Sequence, residues 1–172
     1  EAHLATEAGR TPQVSWDRLE GRTDGPIALT AGPDGTVGRF LLENRPTEAA
    51  AALARLKTLF AGRLYVEVMR HGVAAEEQIE GAMIDLAYAH DLPLVATNEA
   101  YFATADMFEA HDALLAIAEG ANVASTDRRR LTPDYRFRSA SEMKALFADL
   151  PEAINNTLVV ARRCAYASPE RK

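Results

Sequence analysis

The sequence of 172 residues holds one cysteine, Cys164. An internal disulfide is therefore excluded, and the chain must hold together by packing and polar contacts, as proteins of a reducing cytoplasm do. A cytoplasmic location is the expectation. No apolar run approaches the ~20 residues that a membrane span requires, so no membrane partner is expected. Lysine is scarce: Lys57, Lys144 and Lys172 stand among 19 basic residues, and the rest are arginines. The net charge of −6 excludes a general electrostatic attraction of the whole chain for nucleic acid. Histidine is scarce too. His3, His71, His90 and His111 form no HxH, HExxH or HxxxH pair. Neither GxGxxG nor GxxxxGK[ST] occurs, which leaves a phosphate-loop reading without support. No paired-carboxylate, Ser–His–Asp or Cys–His constellation can be assembled from spacing.

What is present is globular. Hydrophobic residues make up 48% and charged residues 26%, the balance of a soluble domain. A chain of this length buries about 70% of its unfolded surface in one domain. The most informative stretch runs from Arg63 to Phe102. Leu64–Met69 reads as a strand, and Arg70–His71–Gly72 as a turn. Glu76–His90 has helical periodicity, with Ile79, Met83, Leu86 and Ala87 on one face. Leu92–Thr97 reads as a second, more buried strand. Strand, helix and strand in this compass predict a βαβ unit with parallel strands and a right-handed crossover. Chemistry in such units sits at the carboxyl ends of the strands. Those ends are His71 with Gly72, and Asn98–Glu99–Ala100–Tyr101.

The flanks extend the alternation. Residues 1–12 read as the tail of a helix or an arm. A short helix follows, with Thr11 as N-cap and Pro12 at its first position. Ile27–Thr30 reads as a strand, and Ala31–Gly35 as the turn at its carboxyl end. Val37–Glu43 is a short helix. Thr47 is the expected cap of a longer one, Glu48–Phe60, with Ala50, Leu53, Leu56 and Phe60 inward. After Tyr101 a helix over about Ala105–Glu119 carries a stripe of Met107, Ala110, His111, Leu114, Leu115 and Ala118, and Gly120 closes it. Residues 121–138 form a basic loop. Ser139–Glu142 is a capping box, and Pro151 opens a last helix to Cys164 with Ile154, Leu158 and Ala161 inward. The chain has no initial methionine; the expectation is an excised or processed piece of a longer protein.

Three groups of residues are candidates for chemistry. Glu99 at a strand end can act as a base or ligate a hard cation, but one carboxylate does not make a metal site. Glu67, His71 and Asn98 are expected at the rim of the same pocket. Arg128, Arg129 and Arg130, with Arg136 and Arg138 beyond Tyr135, are placed to contact phosphates. Intramolecular salt bridges are the competing and better supported account of that loop. The ordinary reading of His90 is a helix C-terminus, and that of His111 a core position.

At Leu94–Phe102, followed by Ala110–His111–Asp112–Ala113–Leu114, the chain resembles bacterial replicative DNA polymerase III alpha subunits. The likeness is to the later part of their PHP (polymerase and histidinol phosphatase) domain and its join to the polymerase core. Ala28–Leu29–Thr30–Ala31–Gly32 resembles the family's LLSGG/LSGC strand and turn. Arg63–Gly72 resembles its RFYLEIxRxG strand. Tyr135–Ser139, Glu142–Met143, Leu146–Phe147, Pro151–Ala153 and Asn156–Thr157 resemble the segment that leads out of the PHP domain.

The resemblance implies an α/β fold: an incomplete PHP-type (β/α)7 barrel with parallel strands over residues 1–120. A basic loop and helices over 121–172 would lead toward the polymerase core. PHP domains carry metal ligands, mostly His and Asp, at strand carboxyl ends. Here Gly32 stands where metal-binding members carry Cys, and Glu99–Ala100–Tyr101 stands for Asp-x-His. The resemblance therefore implies a degenerate site, with the Zn²⁺ or Mn²⁺ of the domain lost and no catalytic residue in this chain. Nucleotidyl transfer, with its Mg²⁺, would belong to a palm beyond Lys172. The implied role is structural, with docking of the proofreading exonuclease (epsilon) subunit. Other replisome subunits would be further partners, and DNA would be met through the parent polymerase. The alternative is an active metal-dependent phosphoesterase or 3′–5′ exonuclease built on Glu99. A barrel that lacks its first strands leaves an open sheet edge. The isolated chain is therefore expected to dimerise or aggregate, and a monodisperse monomer in light scattering would contradict this.

Overall fold

The computed structural model describes residues 14–167. The arm over residues 1–12, the Thr11 cap and His3 lie outside them. Helices are α1 (Trp16–Leu19), α2 (Thr36–Leu42), α3 (Pro46–Leu59), α4 (Ala74–Ala89), α5 (Phe108–Glu119), α6 (Ala140–Leu146) and α7 (Pro151–Arg163). Strands are β1 (Ala28–Leu29), β2 (Leu64–Val68) and β3 (Leu94–Ala96). The sheet order is β1-β2-β3 and both pairings are parallel, with Leu29 opposite Tyr65 and Val66 opposite Leu94. Strand order follows chain order without a reversal, as in a barrel wall. This is the α/β fold expected, and it agrees with part of a PHP-type barrel.

Leu64, Tyr65, Val66 and Val68 are all buried. Leu64, Val66 and Val68 face the helix-covered core, and Tyr65 on the other face is met by Arg163 of α7. Val66 N–H donates to the Pro93 carbonyl, and Thr97 N–H to that of Val68. Odd-numbered residues of β3 thus face β2, and Leu94 faces away. Its carbonyl accepts from Asn156 Nδ2 of α7 at 2.7 Å. Helix α7 therefore closes the β3 edge. The C-terminal helices also share the core of the sheet: Phe147, Leu150 and Ala153 are buried with Leu53, Val66, Met83 and Leu94.

The turn after β1 is tighter than a generic loop. Ala31 and Gly32 have φ of 63° and 50°, and a 3₁₀ turn covers Gly32–Asp34. A Cβ on Gly35 would stand 1.8 Å from the Thr30 carbonyl oxygen, so only glycine admits the approach. The capping box at Ser139 and Glu142 is present as expected. Gly120 closes α5 in the left-handed conformation.

Some local expectations are corrected. Thr47 does not cap α3, because Pro46 takes the first helical position and Arg45 precedes it. The proline brings its own φ and has no N–H to satisfy. On α3 the inward residues are Ala49, Ala52 and Leu53, a face rotated slightly from the expected one. On α7, Leu158 is 60% exposed and Ala153 is the buried position. On α5, Asp112 and Ala116 point inward, leaving Met107 and Leu114 outside. Leu53 and Phe60 are buried as expected, whereas on α5 and α7 the buried apolar positions are the alanines Ala116 and Ala153.

Arg70 explains part of the C-terminal docking. Its guanidinium makes paired contacts of 2.7 to 2.9 Å with Glu80 of α4 and 2.7 Å with Asp149. It also donates to the Leu146 carbonyl and lies 4.6 Å from the centroid of the Phe147 ring. Phe147→Ala removes a fully buried ring and the platform under Arg70. It should cost about 3–5 kcal/mol in urea unfolding of the chain. A loss under about 1 kcal/mol would mean that α6 and α7 are not integral to the core.

Candidate functional site

The carboxyl ends of the three strands converge on Glu67. This residue points from the central strand, so one carboxylate can reach both neighbours. Its Oε2 accepts from Ala31 N–H at 2.9 Å, just past β1. Its Oε1 accepts from the Thr97 hydroxyl at 2.7 Å, just past β3. Glu67 N–H donates to Thr30 Oγ1. Above it opens a cleft of about 340 Å³, lined by Ala31, Asp34, Glu67, Met69, Thr97, Asn98 and Glu99. Glu67, Asn98 and Glu99 border one pocket.

His71 does not lie at the rim or in an exposed loop. It is fully buried, beneath the strand-end loops. Its ring stacks on Tyr135 with centroids 4.1 Å apart and planes at 8°. Nδ1 stands 2.7 Å from Glu76 Oε1, and the backbone N–H donates to Glu76 Oε2. Nε2 accepts from Glu99 N–H at 3.2 Å. An acceptor at Nε2 puts the ring proton on Nδ1, facing the carboxylate. The His71 carbonyl accepts from the Thr132 hydroxyl. A loop histidine by sequence is thus a buried node that joins α4, the loop after β3 and the segment around Tyr135.

That segment returns to the site from far along the chain. Tyr101 N–H donates to the Tyr135 carbonyl and Phe137 N–H to that of Phe102. Asn98 Nδ2 donates to the Arg136 carbonyl. Phe102 and Arg136 form a single parallel bridge, too short for any periodicity in sequence. Tyr135 is the site residue that sequence reading passed over; burial pushes its hydroxyl up to about 12.

Glu99 is exposed, and its Oε1 accepts from the Tyr101 hydroxyl at 2.7 Å. That bond raises the Tyr101 hydroxyl above its ordinary value. The implied PHP metal can be tested on these residues. Gly32 offers no side-chain donor, and a Cβ there would stand 2.6 Å from Met69 Cε. Both His71 ring nitrogens are engaged inside the fold. Tyr101 binds Glu99 rather than facing the cleft as a second ligand. Among the described residues no group of His, Cys, Asp and Glu is arranged to hold a metal ion. The residues present do not fit zinc or manganese at this position.

The arginines of the basic loop are turned inward to different degrees. Arg128 is 1% exposed and grips Asp112 with two bonds of 2.7 and 2.5 Å. It also donates to the Val123 carbonyl. Arg130 is half exposed and 3.7 Å from the same carboxylate. Arg129 lies over the Tyr101 ring and donates to its hydroxyl. Arg136 and Arg138 pair with Glu142 and Asp134. The expected stripe position His111 packs its ring against Tyr101 and Phe102. His90 caps the C-terminus of α4 through its backbone, and its carbonyl accepts from Lys57.

The Arg128 guanidinium holds the Asp112 carboxyl below its ordinary value. A lowered carboxyl contributes its stability above the unfolded value of about 3.9 and loses it as pH falls through the folded value. Asp112→Asn should therefore be less stable than the parent sequence at pH 7. The gap should close toward pH 2 in thermal unfolding followed by circular dichroism. A gap independent of pH would refute the pairing.

Comparison with known proteins follows the same positions. Residues 1–71 match the family model of the PHP domain. The chain is 46% identical over 170 residues to the DNA polymerase III subunit alpha of Caulobacter vibrioides, covering 99% of this chain and 15% of that protein. It is 37% identical over 155 residues to the subunit of Rickettsia bellii, covering 90% and 13%. To the subunit of Vibrio cholerae it is 36% identical over 165 residues, covering 95% and 14%. The chain thus spans about a seventh of the length of these relatives. With strand ends, loop and C-terminal helices all inside the matched span, the chain is similar over nearly its whole length to one segment of the bacterial DNA polymerase III alpha subunits, and its first 71 residues match part of a PHP domain.

Proposed function

We propose that this segment works inside a replicative DNA polymerase III alpha subunit as an architectural PHP region. Its role is to buttress the polymerase and to dock the proofreading exonuclease (epsilon) subunit, within reach of other replisome subunits. The parent protein would carry out DNA-directed DNA synthesis in the cytoplasm, with Mg²⁺ and catalytic carboxylates outside this chain. DNA is met through the parent polymerase.

One observation carries the architectural reading. The polar groups at the strand ends are spent on one another: Glu67 on Ala31 and Thr97, His71 on Glu76 and Glu99. A metalloenzyme needs such groups free to ligate metal and bind substrate. The loop arginines support the same reading. Arg128 is committed to Asp112, which leaves Arg129 and Arg130 as the outward members for any phosphate contact.

The competing reading is an active metal-dependent phosphoesterase or 3′–5′ exonuclease. It is favoured by the cleft itself, where Asp34, Glu67 and Glu99 come together. Elemental analysis of the full-length subunit, with a 3′-exonuclease assay in Mn²⁺ or Zn²⁺, separates the two. Absence of bound metal and of activity is the expected result. Stoichiometric metal, with activity abolished by Glu99→Ala, would establish the enzyme instead.

A further inference from the structure

Helix α5 is built the wrong way round for a surface helix. Its buried positions are Asp112 and Ala116, the aspartate already neutralised by Arg128. Two of its three large aliphatic residues face outward: Leu114 is 63% exposed and Ile117 75%, with Met107 at 46% just before the helix, while Leu115 is half-buried. Met107, Leu114 and Ile117 are spaced by seven and three residues, which puts them within about 80° around the axis. Ala110 and Ala118 are also exposed on this helix. The result is an apolar stripe with small residues beside it, the pattern that receives another helix. Asp106, Glu109 and Glu119 are exposed around it and make its rim acidic. Single exposed leucines need no explanation, but a contiguous stripe does.

We infer that the outer face of α5, centred on Leu114 and Ile117, is covered by a helix from elsewhere in the same polypeptide. That helix would present an apolar stripe with lysine or arginine at its edges. The inference rests on the reading of the chain as a segment of a longer subunit. Two arguments favour a covalently attached occupant over a separate subunit. The relatives extend far beyond the matched segment, which is 13–15% of them, so most of the polypeptide lies outside it. A tethered helix also acts at high effective concentration and covers the stripe without needing much affinity of its own. A separate partner would leave Leu114 and Ile117 open to water and to aggregation whenever it dissociated.

The test is carbene footprinting of the full-length subunit, alone and then with the exonuclease subunit added. Labelling of Leu114 and Ile117 should already be about tenfold below that of freely exposed aliphatics in the subunit alone, because packed interfaces exclude solvent as interiors do. Leu114→Glu with Ile117→Glu should lower the melting temperature of the full-length subunit and raise labelling of Met107. Strong labelling in the subunit alone that falls only when the exonuclease subunit is added would assign the face to that partner and overturn the inference. Strong labelling in both states, or a double variant with unchanged melting, would overturn it as well. Metal content and nuclease activity are read separately, so failure here does not bear on the proposed architectural role.

Discussion

The central strand β2 ends in polar residues that other segments must satisfy, and much of the structure is arranged to do so. Glu67 ties the ends of β1 and β3. Arg70 reaches Glu80 on α4 and Asp149 between α6 and α7. His71 takes Glu76, Glu99 and the Tyr135 ring. A buried polar group without a partner costs as much as several buried methylenes return. Each of these contacts therefore fixes the segment that supplies it. The order of elements in sequence says little about this convergence, since the partners lie up to 79 residues apart.

The same constraint accounts for the C-terminal helices. Phe147, Leu150 and Ala153 enter the sheet's core, while Asn156 covers an outward carbonyl of β3. Arg163 donates to the Tyr65 hydroxyl and the Gly62 carbonyl. One helix thus answers both demands of an edge strand, apolar cover and backbone hydrogen bonds. The β1 edge has no comparable helix among the described residues.

The legible part of this chain is the part governed by local rules. The parallel βαβ unit, the Ser139 capping box, the Gly120 terminator and the place of Pro151 follow from periodicity and backbone chemistry. Helix faces were less legible where alanine replaced leucine in the core. On α5 and α7 the buried positions are Ala116 and Ala153, and hydrophobicity alone ranks the outward Leu114 and Leu158 above them. The strand-end cleft was legible through Glu67, Asn98 and Glu99, because strand ends in parallel units converge. His71 was misplaced because its burial depends on Tyr135, a residue 64 positions away whose return to the site leaves no local pattern.

A cation at the mouth of a parallel barrel does two physical jobs: it polarises a substrate and it cross-links strand ends that backbone pairing alone leaves splayed. In this chain the second job is done by side chains. One carboxylate, Glu67, accepts from both flanking strands. One imidazole, His71, accepts from the loop after β3 while facing a carboxylate on α4. Such a network is fully satisfied without any ion, and adding one would require breaking bonds already made. Glycine at position 32 suits the backbone, whose φ of 50° is one that residues with a Cβ rarely adopt.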